Sequence, residues 1–125
     1  MNYLWVALGG ALGSVARYAT GIYAARWLGA AFPWGTLFIN VSGSFLIGVL
    51  AESFALRWDA PMSARVFLIV GICGGYTTFS TFSLDAVTLL NRGELLAACA
   101  YMVGSVVLSV LALYAALQLM RVWLA

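Results

Sequence analysis

The chain contains no histidine, only two cysteines and two prolines, and charged residues make up 8% of its 125 positions. Without histidine, and with Cys73 and Cys99 both inside apolar stretches, neither a Cys/His zinc site nor a disulfide framework is expected. No glycine-rich phosphate loop, nucleophile–base pair or internal repeat is found, so no catalytic constellation assembles and an enzyme is the least supported reading. The net charge is +2, and on so apolar a chain it carries no nucleic-acid signal.

What is present is hydrophobic: 65% of residues, with a mean hydropathy of +1.04. Soluble domains average roughly a quarter charged residues, so the solvent expected for this single domain, residues 1–125, is lipid. Charges are absent from Met1 to Ala16, between Arg26 and Glu52, between Arg65 and Asp85, and between Glu94 and Arg121. Each gap accommodates a bilayer-crossing run of roughly 20 residues. The spacing predicts an all-α membrane protein with four transmembrane helices, at about 3–27, 35–56, 63–90 and 95–123. Pro33 and Pro61 fall between predicted spans, where helices stop or start. Trp5, Trp27, Trp34, Trp58 and Trp123 fall near predicted ends, as in an interfacial aromatic belt. The first stretch is long and glycine-rich and contains Arg17, so a cleaved signal peptide is not expected.

Four spans put both termini and the middle loop on one side, with Arg57, Arg65 and Arg121. The other side holds Arg26 and Arg92, with Arg17 embedded nearer to it. Orientation follows an excess of Lys/Arg on the cytoplasmic side, and here there is almost none. Near balance permits insertion both ways, and two oppositely inserted copies form an antiparallel dual-topology homodimer. A fixed orientation under a weak bias is the alternative.

Polar residues inside the spans form stripes. Gly9 and Gly13, four apart with Gly10 beside them, suit close helix packing. Arg17 either snorkels to the interface or supplies positive potential at the mouth of an aqueous cavity. Asn40, Ser44 and Gly48 share one face of the second span, and Tyr101, Ser105 and Ser109 one face of the fourth. Each stripe reads equally as a helix–helix seam or as a donor-lined track.

The third span carries "GICGGYTTFSTFS" at 71–83. Gly71, Gly74 and Gly75 weaken helix continuity, and a break at Gly74–Thr78 falls near the middle of the span. Backbone groups freed at membrane depth must be buried in protein, face water or hold an ion. Two such breaks facing each other across a dimer axis offer carbonyls to a cation. Phe79 and Phe82, three apart, stand among Ser80, Thr81 and Ser83; packing explains the rings alone, but not the whole combination. The interior is rich in amide, hydroxyl and ring-edge hydrogens and poor in carboxylates, with Asp85 the only acid deep in a span. That balance suits an anion, and a small, heavily hydrated one needs the most donors.

"GGYTTFSTFS" at 74–83, "GTLFIN" at 35–40 and "GGALGSVARY" at 9–18 together resemble the Fluc-type bacterial fluoride channels, the CrcB family. The resemblance extends over essentially the whole chain. It implies a multi-pass protein of the inner (plasma) membrane that exports fluoride passively through two pores per antiparallel homodimer. It implies a structural Na⁺ at the dimer centre, held by the backbone carbonyls of Gly74 and Thr77 from both copies. It assigns Asn40, Phe79, Phe82, Ser80, Thr81, Tyr101, Ser105 and Ser109 to the pore and Arg17 to the vestibule. Asp85 stands where the family more often has Glu, so its reach is shorter and its role is open. Tyr76 replaces a usually apolar residue, with no reason visible in the sequence. A small multidrug-type proton-coupled exporter shares this length and span number but needs a titratable Glu in the first span, where this chain embeds Arg17. A non-transporting structural subunit explains Gly9 and Gly13 but gives Asn40 and the span 4 hydroxyls no task.

Overall fold

The computed structural model describes residues 1–124, and among them every regular element is helical. α1 (Asn2–Leu28) ends at Gly29, whose φ of 83° lets the chain turn away into the loop before Pro33. α2 (Trp34–Leu56) follows that proline. The third segment is composite: α3 (Met62–Arg65), a π-helical stretch (Val66–Cys73), the single turn α4 (Gly74–Tyr76), a non-helical interval, then α5 (Ser80–Asn91). α6 (Leu95–Leu124) closes the chain. The turn from α5 into α6 is a Schellman motif: Gly93, at φ 77°, donates its N–H to Leu90 O, and Glu94 N–H reaches Leu89 O.

The predicted spans at about 3–27, 35–56, 63–90 and 95–123 therefore fall on real helical segments, each within a residue or so at its ends. Three stretches are long and apolar enough to cross a membrane: Trp34–Leu56, Met62–Asn91 and Leu95–Leu124. α1 has comparable length but is more polar, with a row of glycines, Arg17 and Thr20 among its residues.

α2 lies mainly along α6, while α1 lies along the π-helical stretch and α4. The seam between α2 and α6 is made by Gly48, whose missing side chain leaves room for Ala116 and the Leu113 carbonyl. The α1 seam is tighter. A Cβ on Gly9 would stand 2.5 Å from Phe67 O and 2.9 Å from Gly71 Cα, and one on Gly75 would stand 2.6 Å from Gly10 O. Gly13 sits directly on the Ile72 carbonyl. Backbone thus meets backbone, the approach that small residues permit between helices in lipid.

This corrects the expectation that the glycines break the third span. Gly71, Gly74 and Gly75 all lie in helical backbone, and the interruption is Thr77–Phe79, beginning where Thr77 turns extended at ψ 156°. Gly71 and Gly75 serve the contact with α1 instead. Ala86, Leu89, Ala98 and Tyr101 form a small buried cluster between α5 and α6, with Phe32 and Phe82 packed on it. Large apolar side chains such as Leu12, Val15, Val103, Val110 and Val122 cover the outside. That arrangement is costly in water and natural in lipid.

Candidate functional site

The interruption in the third segment is held from two directions. The Asn40 side chain on α2 faces Thr78 and makes two hydrogen bonds to its backbone: Thr78 N–H donates to Oδ1 (2.9 Å) and Nδ2 donates to Thr78 O (3.0 Å). Thr78 Oγ1 in turn accepts from Thr81 N–H at 3.1 Å, capping the start of α5. On the other side, Arg17 on α1 reaches across with Nε 3.1 Å from Gly75 O.

These diversions have a consequence for two carbonyls. In a continuous helix Gly74 O would accept from Thr78 N–H, and Thr77 O from Thr81 N–H. Both amides are now taken by side-chain oxygens, so Gly74 O and Thr77 O accept no hydrogen bond among the described residues. Gly74 is exposed, and a Cβ there would meet nothing nearer than Ile69 O at 3.7 Å. Unpaired carbonyls on an open face have the ligand chemistry that suits a hard monovalent cation. Among the described residues no group of three His, Cys, Asp or Glu side chains gathers to hold a metal.

Beside the interruption lies a cavity of about 480 Å³. Asn40 and Ser44 from α2, Phe79 and Phe82 from the break and α5, and Ser105 and Ser109 from α6 line it, together with Gly74, Thr77 and Thr78. No charged side chain is among its walls. Asn40 has one N–H left after its bond to Thr78. Ser105 is the telling wall: its Oγ is buried and has no hydrogen-bond partner among the described residues. A buried hydroxyl without a partner costs free energy unless something occupies the space it faces. Phe79 and Phe82 are 5.6 Å apart between centroids, tilted by 43°; Phe79 is 78% exposed, whereas Phe82 stacks against Tyr101 at 5.1 Å.

A second, larger cavity of about 620 Å³ lies on the other side of Thr78, which contributes to both. Arg17, Thr81, Asp85, Thr88 and Arg92 face it, as do Phe32 and Trp34. Arg92 is ion-paired with Glu94 at 3.4 Å, so Arg17 and Asp85 are the two remaining charges on this wall. Asp85 accepts the Tyr101 hydroxyl at 3.1 Å. Tyr101 itself is buried, its ring in edge contact with Phe32.

The residues named from the sequence therefore separate into four places. Asn40, Phe79, Phe82, Ser105 and Ser109 meet in the uncharged cavity with Gly74 and Thr77. Arg17, Thr81 and Asp85 meet in the charged one. Tyr101 stands in the packed cluster with its hydroxyl directed at Asp85, and Ser80 is exposed at the start of α5, its Oγ 3.4 Å from Thr78 Oγ1. Gly48, on the Asn40 stripe, belongs to the α2–α6 seam. Sequence reasoning missed Thr78, which joins both cavities, the Asn40 clamp and the α5 cap; its place three residues before Thr81 is the N-cap spacing that could have found it.

The family described as CrcB-like protein, Camphor Resistance (CrcB), matches residues 4–117. The chain is 67% identical over 119 residues to the fluoride-specific ion channel FluC of Nitrobacter winogradskyi, covering 95% of this chain and 94% of that one. It is 57% identical over 122 residues to the protein of the same name from Rhizobium meliloti, covering 97% and 98%, and 50% identical over 121 residues to that of Agrobacterium fabrum, covering 97% of each. A match across nearly the whole length of both partners places this chain in the CrcB family.

Proposed function

We propose that this protein is a fluoride channel, a non-enzymatic conduit that lets cytoplasmic fluoride leave down its electrochemical gradient. Weakly acidic HF enters cells from acidic surroundings and ionises at cytoplasmic pH, so a passive exit for the trapped anion relieves its toxicity. The carrying observation is the uncharged cavity at the interruption, lined by Asn40 with its spare N–H, by Ser105 and Ser109, and by the Phe79 and Phe82 rings. Positioned hydrogens of this kind replace the water around an anion, and the absence of a carboxylate from that wall removes the repulsion it would meet. In the cavity beyond Thr78, Arg17 is the guanidinium without a carboxylate partner among the described residues and offers positive potential at the entrance. The names of the relatives point the same way.

In this reading α1 crosses the membrane beside the three more apolar stretches, and two copies insert in opposite orientations in the plasma membrane. The near-even arginine count supports both orientations, and the exposed face with Gly74 and Phe79 supplies the surface for the second copy. The Gly74 and Thr77 carbonyls of the two copies would hold Na⁺, which when bound balances the inward-pointing carbonyl dipoles. Asn40 and Thr78 fix those carbonyls by withdrawing the amides that would otherwise pair with them. The deciding experiment is efflux from liposomes loaded with fluoride or chloride, read with ion-selective electrodes. Rapid fluoride release with almost no chloride release is expected; equal release of the two would remove the selectivity that the donor-lined wall is argued to give.

A further inference from the structure

Tyr76 lines neither cavity, yet its side chain is engaged by α2 beside the interruption. Its hydroxyl lies 3.0 Å from Ser42 Oγ on α2. Ser42 Oγ is also 2.7 Å from Phe38 O, one turn earlier on its own helix. Serine has one hydroxyl hydrogen, and the shorter contact to a carbonyl takes it. Tyr76 must therefore be the donor to Ser42, and the chain Tyr76–Ser42–Phe38 O runs in one direction with each hydrogen assigned. Beneath it, Gly43 leaves the space that the ring and the neighbouring Thr77 methyl occupy: a Cβ on Gly43 would stand 3.2 Å from Tyr76 Cδ2 and would collide with Thr77 Cγ2.

α2 thus grips the interruption twice. Asn40 holds Thr78, after the turn to extended backbone; Ser42 and Gly43 hold Tyr76 and Thr77, before it. We propose that Tyr76 is a positioning residue: its hydroxyl bond to Ser42, over the gap left by Gly43, fixes the backbone on the near side of the break so that the Gly74 and Thr77 carbonyls keep their direction. The inference deepens the channel reading and rests, for the cation, on the assignment of those two carbonyls to Na⁺. An apolar ring at this position would fill the same gap but leave the near side of the break without its tether to α2, held only by Arg17 on Gly75 O and by Thr77 on Cys73 O.

The test uses the full chain in lipid nanodiscs and compares Tyr76→Phe, Ser42→Ala, the double variant and Ser42→Thr with the parent. Peptide-resolved hydrogen exchange is read over residues 74–80 and over α6, and thermal denaturation is titrated with NaCl against a non-coordinating salt. Tyr76→Phe and Ser42→Ala should each speed exchange over 74–80 by about fivefold, with α6 unchanged; this is the change expected from losing one hydrogen bond. The double variant should be no faster than either single one, since both remove the same bond, and Ser42→Thr, which keeps the hydroxyl, should restore slow exchange. The NaCl concentration giving half the stabilisation should rise several-fold in the two single variants and return with Ser42→Thr. Exchange over 74–80 unchanged in both single variants overturns the proposal, as does a uniform increase across α6. A parent that responds to Na⁺ while the variants keep its midpoint overturns it as well, because the tether would then hold backbone that the cation does not use. A parent indifferent to Na⁺ removes the cation assignment instead, and the exchange pattern alone then decides the tether.

Discussion

The Asn40 amide and the Thr78 peptide group face each other as two adjacent strands would, each donating one hydrogen bond and accepting one. The pair substitutes a side chain for the missing helical partners of Thr78 at the one place where the third segment stops being a helix. Removing it leaves a part-buried backbone N–H and C=O without their partner, at up to about 1–3 kcal/mol for each group left unsatisfied. Asn40→Ala should therefore lower the thermal midpoint of the detergent-solubilised protein by several degrees and abolish fluoride efflux together. Asn40→Asp keeps the acceptor for Thr78 N–H but turns a second oxygen towards Thr78 O, so it should be no better than Ala. A variant with full stability and lost flux would mean that the amide acts on the ion alone and not on the break.

The glycines give a contrast that composition hides. A Cβ at Gly13 would be driven into the Ile72 carbonyl, which is backbone and cannot rotate aside, whereas one at Gly21 meets nothing within 4 Å. Forcing a methyl into a closed seam costs typically about 1–3 kcal/mol and more against backbone, while replacing an unhindered helical glycine by alanine gains up to about 1 kcal/mol. Gly13→Ala should yield little folded protein on size exclusion, and Gly21→Ala should match or exceed the parent in thermal midpoint. Equal behaviour of the two would dissolve the argument that α1 is seated backbone to backbone.

Phe79 and Phe82 differ in what surrounds them, and the same substitution should separate them. Phe79 is largely exposed and touches Phe82; Phe82 is packed on Tyr101 and the α5–α6 cluster. Phe79→Ala should cut fluoride efflux from liposomes at least tenfold with a smaller loss of thermal midpoint than Phe82→Ala, since within one copy little apolar contact is lost. Phe82→Ala should cut efflux as far and also destabilise the protein by about 2–4 kcal/mol, the ordinary cost of emptying a packed aromatic site. Efflux at the parent rate in both would return the two rings to packing.

How much of this was legible follows from which interactions are local. The helical segments were readable because they depend on composition over some twenty residues and on Pro33 and Pro61. The break was readable to within a few residues, but its cause was not. Glycine propensity pointed to Gly74, whereas the backbone leaves the helix at Thr77, because the decisive hydrogen bond comes from Asn40, 38 positions away. The glycines proved to serve a seam that only the pairing of α1 with the π-helical stretch reveals. The Asn40, Ser105 and Ser109 stripes were visible as periodicities, but periodicity alone could not tell a seam from a cavity wall: on one stripe Gly48 is seam and Ser44 is wall. The Tyr101–Asp85 bond joins positions 16 residues apart on two helices, and the tight Gly93 turn that brings them together carries no sign of it.

Ser105 supplies the sharpest separation of stability from function. Its hydroxyl is buried and unpartnered among the described residues, so the folded protein bears the cost of an unsatisfied polar group there. Ser53, by contrast, bonds back to Val49 O at 2.7 Å, as serines in apolar helices commonly do. Removing an unsatisfied hydroxyl should leave stability unchanged or raise it by about 1 kcal/mol, because nothing is lost but the desolvation of the group. If the hydroxyl is kept for an anion in the cavity, Ser105→Ala should therefore hold or raise the thermal midpoint while reducing fluoride efflux several-fold. Ser53→Ala should change neither by more than a small amount. A Ser105→Ala protein that is markedly less stable would show that the hydroxyl has a partner within the fold, and one that conducts like the parent would leave a buried polar group at this wall without a purpose.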